Sequence, residues 1–207
     1  MQLLVLGATG GVGRHIVDQA LAAGHEVHAV ARSAPDRSHE RLSHTRADAT
    51  VPGALDEAVQ GVDAVICAIG AGLSDRSTRT TATKHLLAAM QRHDVDRLVL
   101  VSSLGAGDSY GRIGFATKAI VKTLLRNAIH DHDGQEAAVN ASSVRATILR
   151  PGGLSDEPDQ QVRTVADPNA SLKGRGRVPR AAVARVALQA VDDPGAPATL
   201  AILASGA

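Results

Sequence analysis

A glycine turn set between a short apolar run and an amphipathic helix constrains this chain more than any other feature. Gln2-Leu3-Leu4-Val5-Leu6 reads as a buried strand, and Gly7-Ala8-Thr9-Gly10-Gly11-Val12-Gly13 follows it directly. Ile16, Val17, Ala20 and Leu21 then recur on one helical face until Gly24 closes the helix, and Glu26-Val27-His28-Ala29-Val30 forms a second strand. Strand, glycine turn, helix and strand make the first half of a dinucleotide-binding unit. In that reading Gly7 permits the tight turn, Gly10 clears space for a pyrophosphate, and Gly13 lets the helix close on the sheet. Thr9, Gly11 and Val12 complete the cradle, where the helix N-terminus offers N–H groups and positive dipole to phosphate.

The end of the second strand selects the dinucleotide. An acidic residue there would suit the ribose 2′-hydroxyl of NAD(H), but the chain has Ala31-Arg32-Ser33, with Arg37 in the loop beyond. A guanidinium beside a hydroxyl matches a 2′-phosphate. The expected cofactor is NADP(H) in preference to NAD(H).

Further strands are expected at Thr45–Thr50, Asp63–Ile69, Arg97–Val101, Ala146–Leu149, Gln161–Val165 and Thr199–Leu203. Helices are expected at Pro52–Gln60, Arg76–His93 and Pro179–Val191, and from Ile113 to Val139 with a charged break at His130–Gly134. This alternation predicts an α/β fold: one doubly wound, mainly parallel sheet with helices on both faces. The whole chain, 207 residues, would form one domain, with roughly 152–207 on the substrate side. With one Tyr, one Phe and no Trp, base-stacking surfaces for nucleic acid are not expected, and a net charge of +1 favours neither nucleic acid nor membrane. The single Cys67 cannot form an internal disulfide, no signal pattern precedes the first strand, and a cytoplasmic monomer acting on a small molecule is the default expectation.

Gly7–Gly13, Ala47-Asp48, Cys67-Ala68-Ile69-Gly70, Val101–Ala106 and Thr147–Leu154 succeed one another over nearly the whole chain. Together they resemble the atypical short-chain dehydrogenase/reductases, a Rossmann-type family, and within it the NAD(P)H-binding group of biliverdin reductase B (flavin reductase) and NmrA-like proteins. The resemblance implies that Asp48 and Ala49 lie near adenine, and that Ala68, Ile69 and Gly70 pass beneath the ribose and pyrophosphate. It also implies that Pro151, Gly152, Gly153 and Leu154 flank the nicotinamide, that Ser102 belongs to the cofactor site, and that Ser103 sits by nicotinamide and substrate, as a donor to the acceptor or as a capping serine beside the cofactor. His132 falls where relatives carry a basic residue above the nicotinamide, and proton donation is one reading of it. A surface histidine beside Asp131 and Asp133 is the other.

The chain departs from the main branch of that superfamily in one respect. Tyr-x-x-x-Lys, the usual proton relay, is absent: Tyr110 is followed four residues later by Gly114, and Lys118 lies eight away. A flavin or quinone disperses the charge that hydride brings and can take its proton from water. The missing relay therefore points to a conjugated acceptor. A non-catalytic redox sensor of the NmrA-like kind and a sugar or small-molecule epimerase are the rival readings. No zinc pattern, P-loop or hydrolase elbow is present, and no metal is expected. Lys173, Arg175, Arg177 and Arg180 read as a solvated basic face, with contact to an anion as the other reading.

Overall fold

The computed structural model describes residues 1–34, 38–72, 75–174 and 176–205. The first half runs β1 (Gln2–Leu6), α1 (Gly11–Ala22), β2 (Glu26–Ala31), β3 (Leu42–Arg46), α2 (Asp56–Val59), β4 (Ala64–Cys67) and α3 (Thr78–Arg92). The second half runs β5 (Arg97–Val101), α4 (Ser109–Arg112), α5 (Phe115–Thr123), α6 (Arg126–Asn140), β6 (Arg145–Pro151), β7 (Leu154–Ser155), β8 (Val162–Val165), β9 (Val178–Pro179), α7 (Arg180–Asp192) and β10 (Thr199–Ala204).

Eight strands form one sheet in the order β3-β2-β1-β4-β5-β6-β10-β8, and β7 pairs with β9 apart from it. Every pairing in the large sheet is parallel except β10 with β8. Parallel central strands are covered on both sides, so β4 and β5 are apolar and buried without alternation. Leu3, Val5 and Ile66 face a core shared with α1 and α7; Leu4, Val65 and Leu98 face one shared with α2, α3 and α6. The strand order reverses between β1 and β4, and a crevice opens there beyond the carboxyl ends of the strands.

Short elements α4, β7 and β9 join those expected from sequence, β4 is trimmed to Ala64–Cys67, and three further differences have physical reasons. The third strand is Leu42–Arg46, not Thr45–Thr50. It is an edge strand of polar, largely exposed residues, held by its register with β2 and by a 2.8 Å contact between His28 Nε2 and Thr45 Oγ1. Hydrophobic periodicity has little to report in such a strand. The second helix shrinks from Pro52–Gln60 to Asp56–Val59. The break between the later helices falls at Leu124-Leu125, and His130–Gly134 lies inside α6.

The charges of that supposed break make tertiary contacts instead. The Asp131 carboxylate accepts 2.9 Å hydrogen bonds from the backbone N–H groups of Arg79 and Thr80, capping the first turn of α3 from another helix. Gly134 sits where α6 crosses α3, and a Cβ there would run into the Thr80 side chain. It is a crossing glycine in a continuous helix.

Candidate functional site: a dinucleotide cleft and a second, cationic cleft

The cleft at the switch point has a volume of about 670 Å³. Eight residues expected from sequence line it: Gly7, Thr9, Gly10, Arg32, Asp48, Ala49, Ile69 and Gly70. Each comes from a strand end or from the turn that follows one, so a single edge of the sheet gathers them.

The glycine turn has the shape of a phosphate cradle. Gly7 has φ +84°, and its N–H donates to the Val30 carbonyl at 2.9 Å, folding the turn back over β2. A Cβ at Gly7 would lie 2.6 Å from the Ala68 carbonyl oxygen. A Cβ at Gly13 would overlap the Gly7 carbonyl and approach Ala8 Cα to 3.0 Å. Helix α1 begins on Gly10 with no side-chain cap and no acidic residue in its first turn. Its N-terminal N–H groups and dipole are thus turned to the cleft with nothing of their own to neutralise them. The cradle fits a pyrophosphate. Val12 and Gly13 serve it from behind, as buried packing between helix and sheet.

Arg32 and Ser33 line the far end of the cleft, where the adenine ribose would lie. Among the described residues Arg32 makes no ion pair, whereas Arg14, Arg79, Arg92, Arg150, Arg180 and Arg185 all do. Its charge acts on Asp48. That carboxyl is held below its ordinary range by hydrogen bonds from Thr50, and by the Arg32 charge. Arg46 stands in register with Ala31 and brings a second cation-bearing residue to this strand end. Arg37 lies outside the described residues.

Arg180 was not singled out for the cofactor in the sequence. Its cluster reads there as a solvated face, yet its side chain packs on the glycine turn: a Cβ at Gly11 would lie 2.7 Å from Arg180 Nε. Asp156 holds the guanidinium at 2.9 Å, and Arg14 reaches the same carboxylate at 3.5 Å. The only signal in the sequence is a basic residue opening α7, and nothing local reveals that this helix end abuts α1. Arg175 lies outside the described residues.

At the other end of the crevice, β5 and β6 end side by side. The Ser102 N–H donates to the Leu149 carbonyl and the Leu104 N–H to the Pro151 carbonyl, both at 2.8 Å. Pro151–Leu154 therefore adjoins the Ser102–Leu104 segment. Gly152 bonds to Ile202, and Gly153 to Val178, within the backbone. None of these, nor Ala68, lines the main cleft. Ser102 is turned inward, its Oγ donating to Glu136 Oε1 at 2.6 Å, so its side chain does not face the cofactor groove. Ser103 is half-buried and keeps only a long 3.3 Å hydrogen bond to the Leu104 carbonyl among the described residues. Its hydroxyl is the one with capacity to spare.

His132 corrects both sequence readings. It is buried, 8% exposed, with Nδ1 3.2 Å from Gln135 Oε1, and it lines neither cleft. Burial, with the Arg79 charge nearby, pushes its pKa down to about 4. A neutral core imidazole of this kind does not deliver protons near pH 7.

A second cleft of about 680 Å³ opens beside the loop that follows β5. Gly105, Gly107, Tyr110, Val121 and Ile129 form its walls, Arg76, Lys122 and Arg126 its cationic rim, and His130 lies beside them. Arg76, Lys122 and Arg126 make no ion pair among the described residues. Asp133, the one carboxylate lining it among the described residues, accepts a 2.7 Å hydrogen bond from the Gly107 N–H. Lys118 Nζ lies over the Tyr110 ring, 5.7 Å from its centroid, and donates to the Gly111 carbonyl at 3.2 Å. The two are neighbours in space, but the ammonium engages the ring face and a carbonyl rather than completing a Tyr-Lys relay.

Fold and cradle together define a Rossmann-type dinucleotide-binding protein. A family model described as NAD(P)H-binding matches residues 7–194, and the chain belongs to that family. An uncharacterized chloroplastic protein of Arabidopsis thaliana is 30% identical over 203 residues, 92% of this chain and 71% of that protein. A bifunctional pinoresinol-lariciresinol reductase of Linum usitatissimum is 26% identical over 211 residues, 93% of this chain and 62% of its own length. Among solved structures, the anaerobilin reductase ChuY of Escherichia coli O157:H7 superposes with a TM-score of 0.80 at 23% identity, covering 100% of this chain and 98% of that one. A short-chain dehydrogenase/reductase of Veillonella parvula in complex with NADP gives 0.83 at 19% identity, covering 99% and 95%. These two likenesses establish the fold. No helix among the described residues is long and apolar enough to cross a membrane.

Proposed function

We propose that the protein is an NADP(H)-dependent reductase that passes hydride to a flavin, a quinone or another conjugated small molecule. The carrying observation is a pair of clefts, one at the switch point of the sheet and one beside the loop that follows β5. One has a phosphate cradle and an Arg32 that makes no ion pair among the described residues; the other has an apolar wall and a cationic rim. Reductases among the similar proteins, the pinoresinol-lariciresinol and anaerobilin enzymes, support the reaction class.

When bound, the dinucleotide supplies the hydride; the protein's part is to orient and shield. The glycine turn and the α1 N-terminus take the pyrophosphate, Arg180 flanks it, and Arg32 with Ser33 takes the 2′-phosphate. Ser103 donates a hydrogen bond to the acceptor from the loop that follows β5. With Lys118 engaged at the Tyr110 ring, no Tyr-Lys relay serves a simple alkoxide, and an acceptor that delocalises its charge needs none. The rim of Arg76, Lys122 and Arg126, without ion pairs among the described residues, suits an acceptor that carries anionic groups.

The test is NADPH oxidation by the purified protein with FMN, riboflavin and a small quinone, and NADH as control. Acceptor-dependent turnover that favours NADPH supports the reading. Tight NADPH binding with no turnover on any acceptor favours a dinucleotide-binding sensor.

A further inference from the structure

A buried ion pair that hydride transfer itself does not need lies under the loop closing β5. Arg150, near the end of β6, is 5% exposed, and Glu136, on α6, is 3% exposed. Arg150 Nε and Nη2 meet the two Glu136 oxygens at 3.0 and 2.7 Å, a bidentate fork. Its remaining nitrogen, Nη1, reaches Asp108 Oδ1 at 2.5 Å, and Ser102 Oγ donates to Glu136 at 2.6 Å. Burial alone would lower the Arg150 pKa, but the hydrogen bonds and charges of Glu136 and Asp108 outweigh it and raise the pKa.

The loop rests on this pair. A Cβ at Gly107 would lie 2.5 Å from Arg150 Nη2 and 2.8 Å from Glu136 Oε2, so the Gly107 backbone is laid directly on the fork. Arg150's neighbours hold the same loop by their carbonyls: Leu149 takes the Ser102 N–H and Pro151 the Leu104 N–H. Three consecutive residues of β6 therefore grip one loop, the outer two through backbone and the middle one through its side chain. Ser102 is drawn inward by Glu136, and successive side chains of an extended chain point to opposite sides. That leaves Ser103 turned the other way. Gly105 and Gly107, beyond it, wall the second cleft.

We propose that Glu136 and Arg150 are positioning residues: their buried pair braces the Ser102–Asp108 loop and thereby sets Ser103 and the Gly105–Gly107 wall of the second cleft. The proposal rests on the reductase reading for its catalytic consequence. Replacing a buried ion pair with apolar residues of similar volume is often neutral or stabilising, so packing alone gives no reason for the pair here. A fork that sets the loop's geometry does.

That same rule supplies the test. The double variant Arg150→Met/Glu136→Leu removes both charges together and leaves neither buried alone. Arg150→Lys keeps the charge but loses the fork, and serves as a second variant if the double one does not fold. Amide hydrogen exchange of residues 104–108 is measured in the NADPH-bound protein, beside kcat and KM for FMN and the kinetic isotope effect with NADPH deuterated at the transferred position. The brace predicts exchange about tenfold faster in that loop, with the β1 and β4 amides unchanged. It also predicts kcat lower by about 10- to 100-fold with KM for FMN and NADPH affinity little changed, and a larger isotope effect as hydride transfer becomes limiting. A merely structural role would move neither the isotope effect nor kcat alone. Unchanged exchange in a folded variant overturns the brace, and faster exchange with unchanged kcat overturns the positioning role. Wild-type protein inert toward every acceptor defeats the reductase reading, while loop exchange still decides the brace.

Discussion

Replacing Gly13 with alanine tests the cradle at its tightest point. The added Cβ would overlap the Gly7 carbonyl oxygen and approach the Gly7 carbonyl carbon to 2.8 Å. Ordinary carbon–carbon contact begins at roughly 3.5 Å, so the carbon alone is short by roughly 0.7 Å and the oxygen by more. The atoms in the way are main chain, held by the β1–β2–β4 register and by the Gly7 N–H bond to Val30, so they cannot rotate aside. Overpacking of this kind costs about 1–3 kcal/mol, and rigid backbone places it at the upper end. For a domain of this size, about 3 kcal/mol lowers the melting temperature by about 6–12 °C. Relief by sliding α1 would draw its first N–H groups away from the phosphates, and losing one charge-assisted hydrogen bond worth about 1.5–3 kcal/mol weakens NADPH binding about 10- to 100-fold. The control is Gly111→Ala, in α4, where a Cβ meets nothing within 4 Å and φ is not positive. There alanine should be neutral or stabilising by about 0.5 kcal/mol. Thermal melts and NADPH fluorescence titrations read both quantities. A Gly13→Ala protein that melts within about 2 °C of wild type and binds NADPH equally well would refute the reasoning.

Other predictions follow from individual side chains. Arg32→Ala should raise the NADPH dissociation constant about 10- to 100-fold and leave that for NADH nearly unchanged, because only NADPH carries the 2′-phosphate; calorimetry with both cofactors checks this. Arg180→Ala should weaken NADPH and NADH alike, about tenfold, since the glycine turn it flanks is the proposed seat of the pyrophosphate common to both. His132 has a folded pKa of about 4, below its unfolded value of 6.5, so the unfolded chain binds the extra proton. Its contribution is complete above about pH 6.5 and is lost as pH falls toward 4, by about 3 kcal/mol in all. Urea melts from pH 7 to 4.5 should therefore fall more steeply for wild type than for His132→Gln. Asp75, held down to about 2 by hydrogen bonds from Thr78 and Ser77, titrates in a lower window and does not imitate this.

The sequence shows most where one local rule decides. Arg97–Val101 forms a strand with the bounds its unbroken apolar run suggests, and the Gly7–Gly13 turn sits between β1 and α1 as its glycine spacing requires. It shows least where partners are distant along the chain. Asp131 and His132 look like part of a charged break, and Glu136 stands just beyond it, yet all three are buried because α6 meets α3 and the end of β6. Leu42–Arg46 lacks an apolar stripe because it is an edge strand. Ser102 and Ser103 are alike in sequence; only Glu136, 34 residues away from Ser102, tells one from the other. Arg180 lies beside the glycine turn because α7 packs on α1, a pairing no local periodicity announces.

The central claim, that this fold delivers hydride to a conjugated acceptor, is tested most directly by an anaerobic single turnover. NADPH-loaded protein is mixed with FMN and followed by the loss of the oxidised flavin's visible absorbance. The account predicts bleaching stoichiometric with NADPH consumed, slower with NADH, and slowed again in Arg150→Met/Glu136→Leu. Flavin that binds beside bound NADPH and stays oxidised, with a small quinone equally inert, would contradict it.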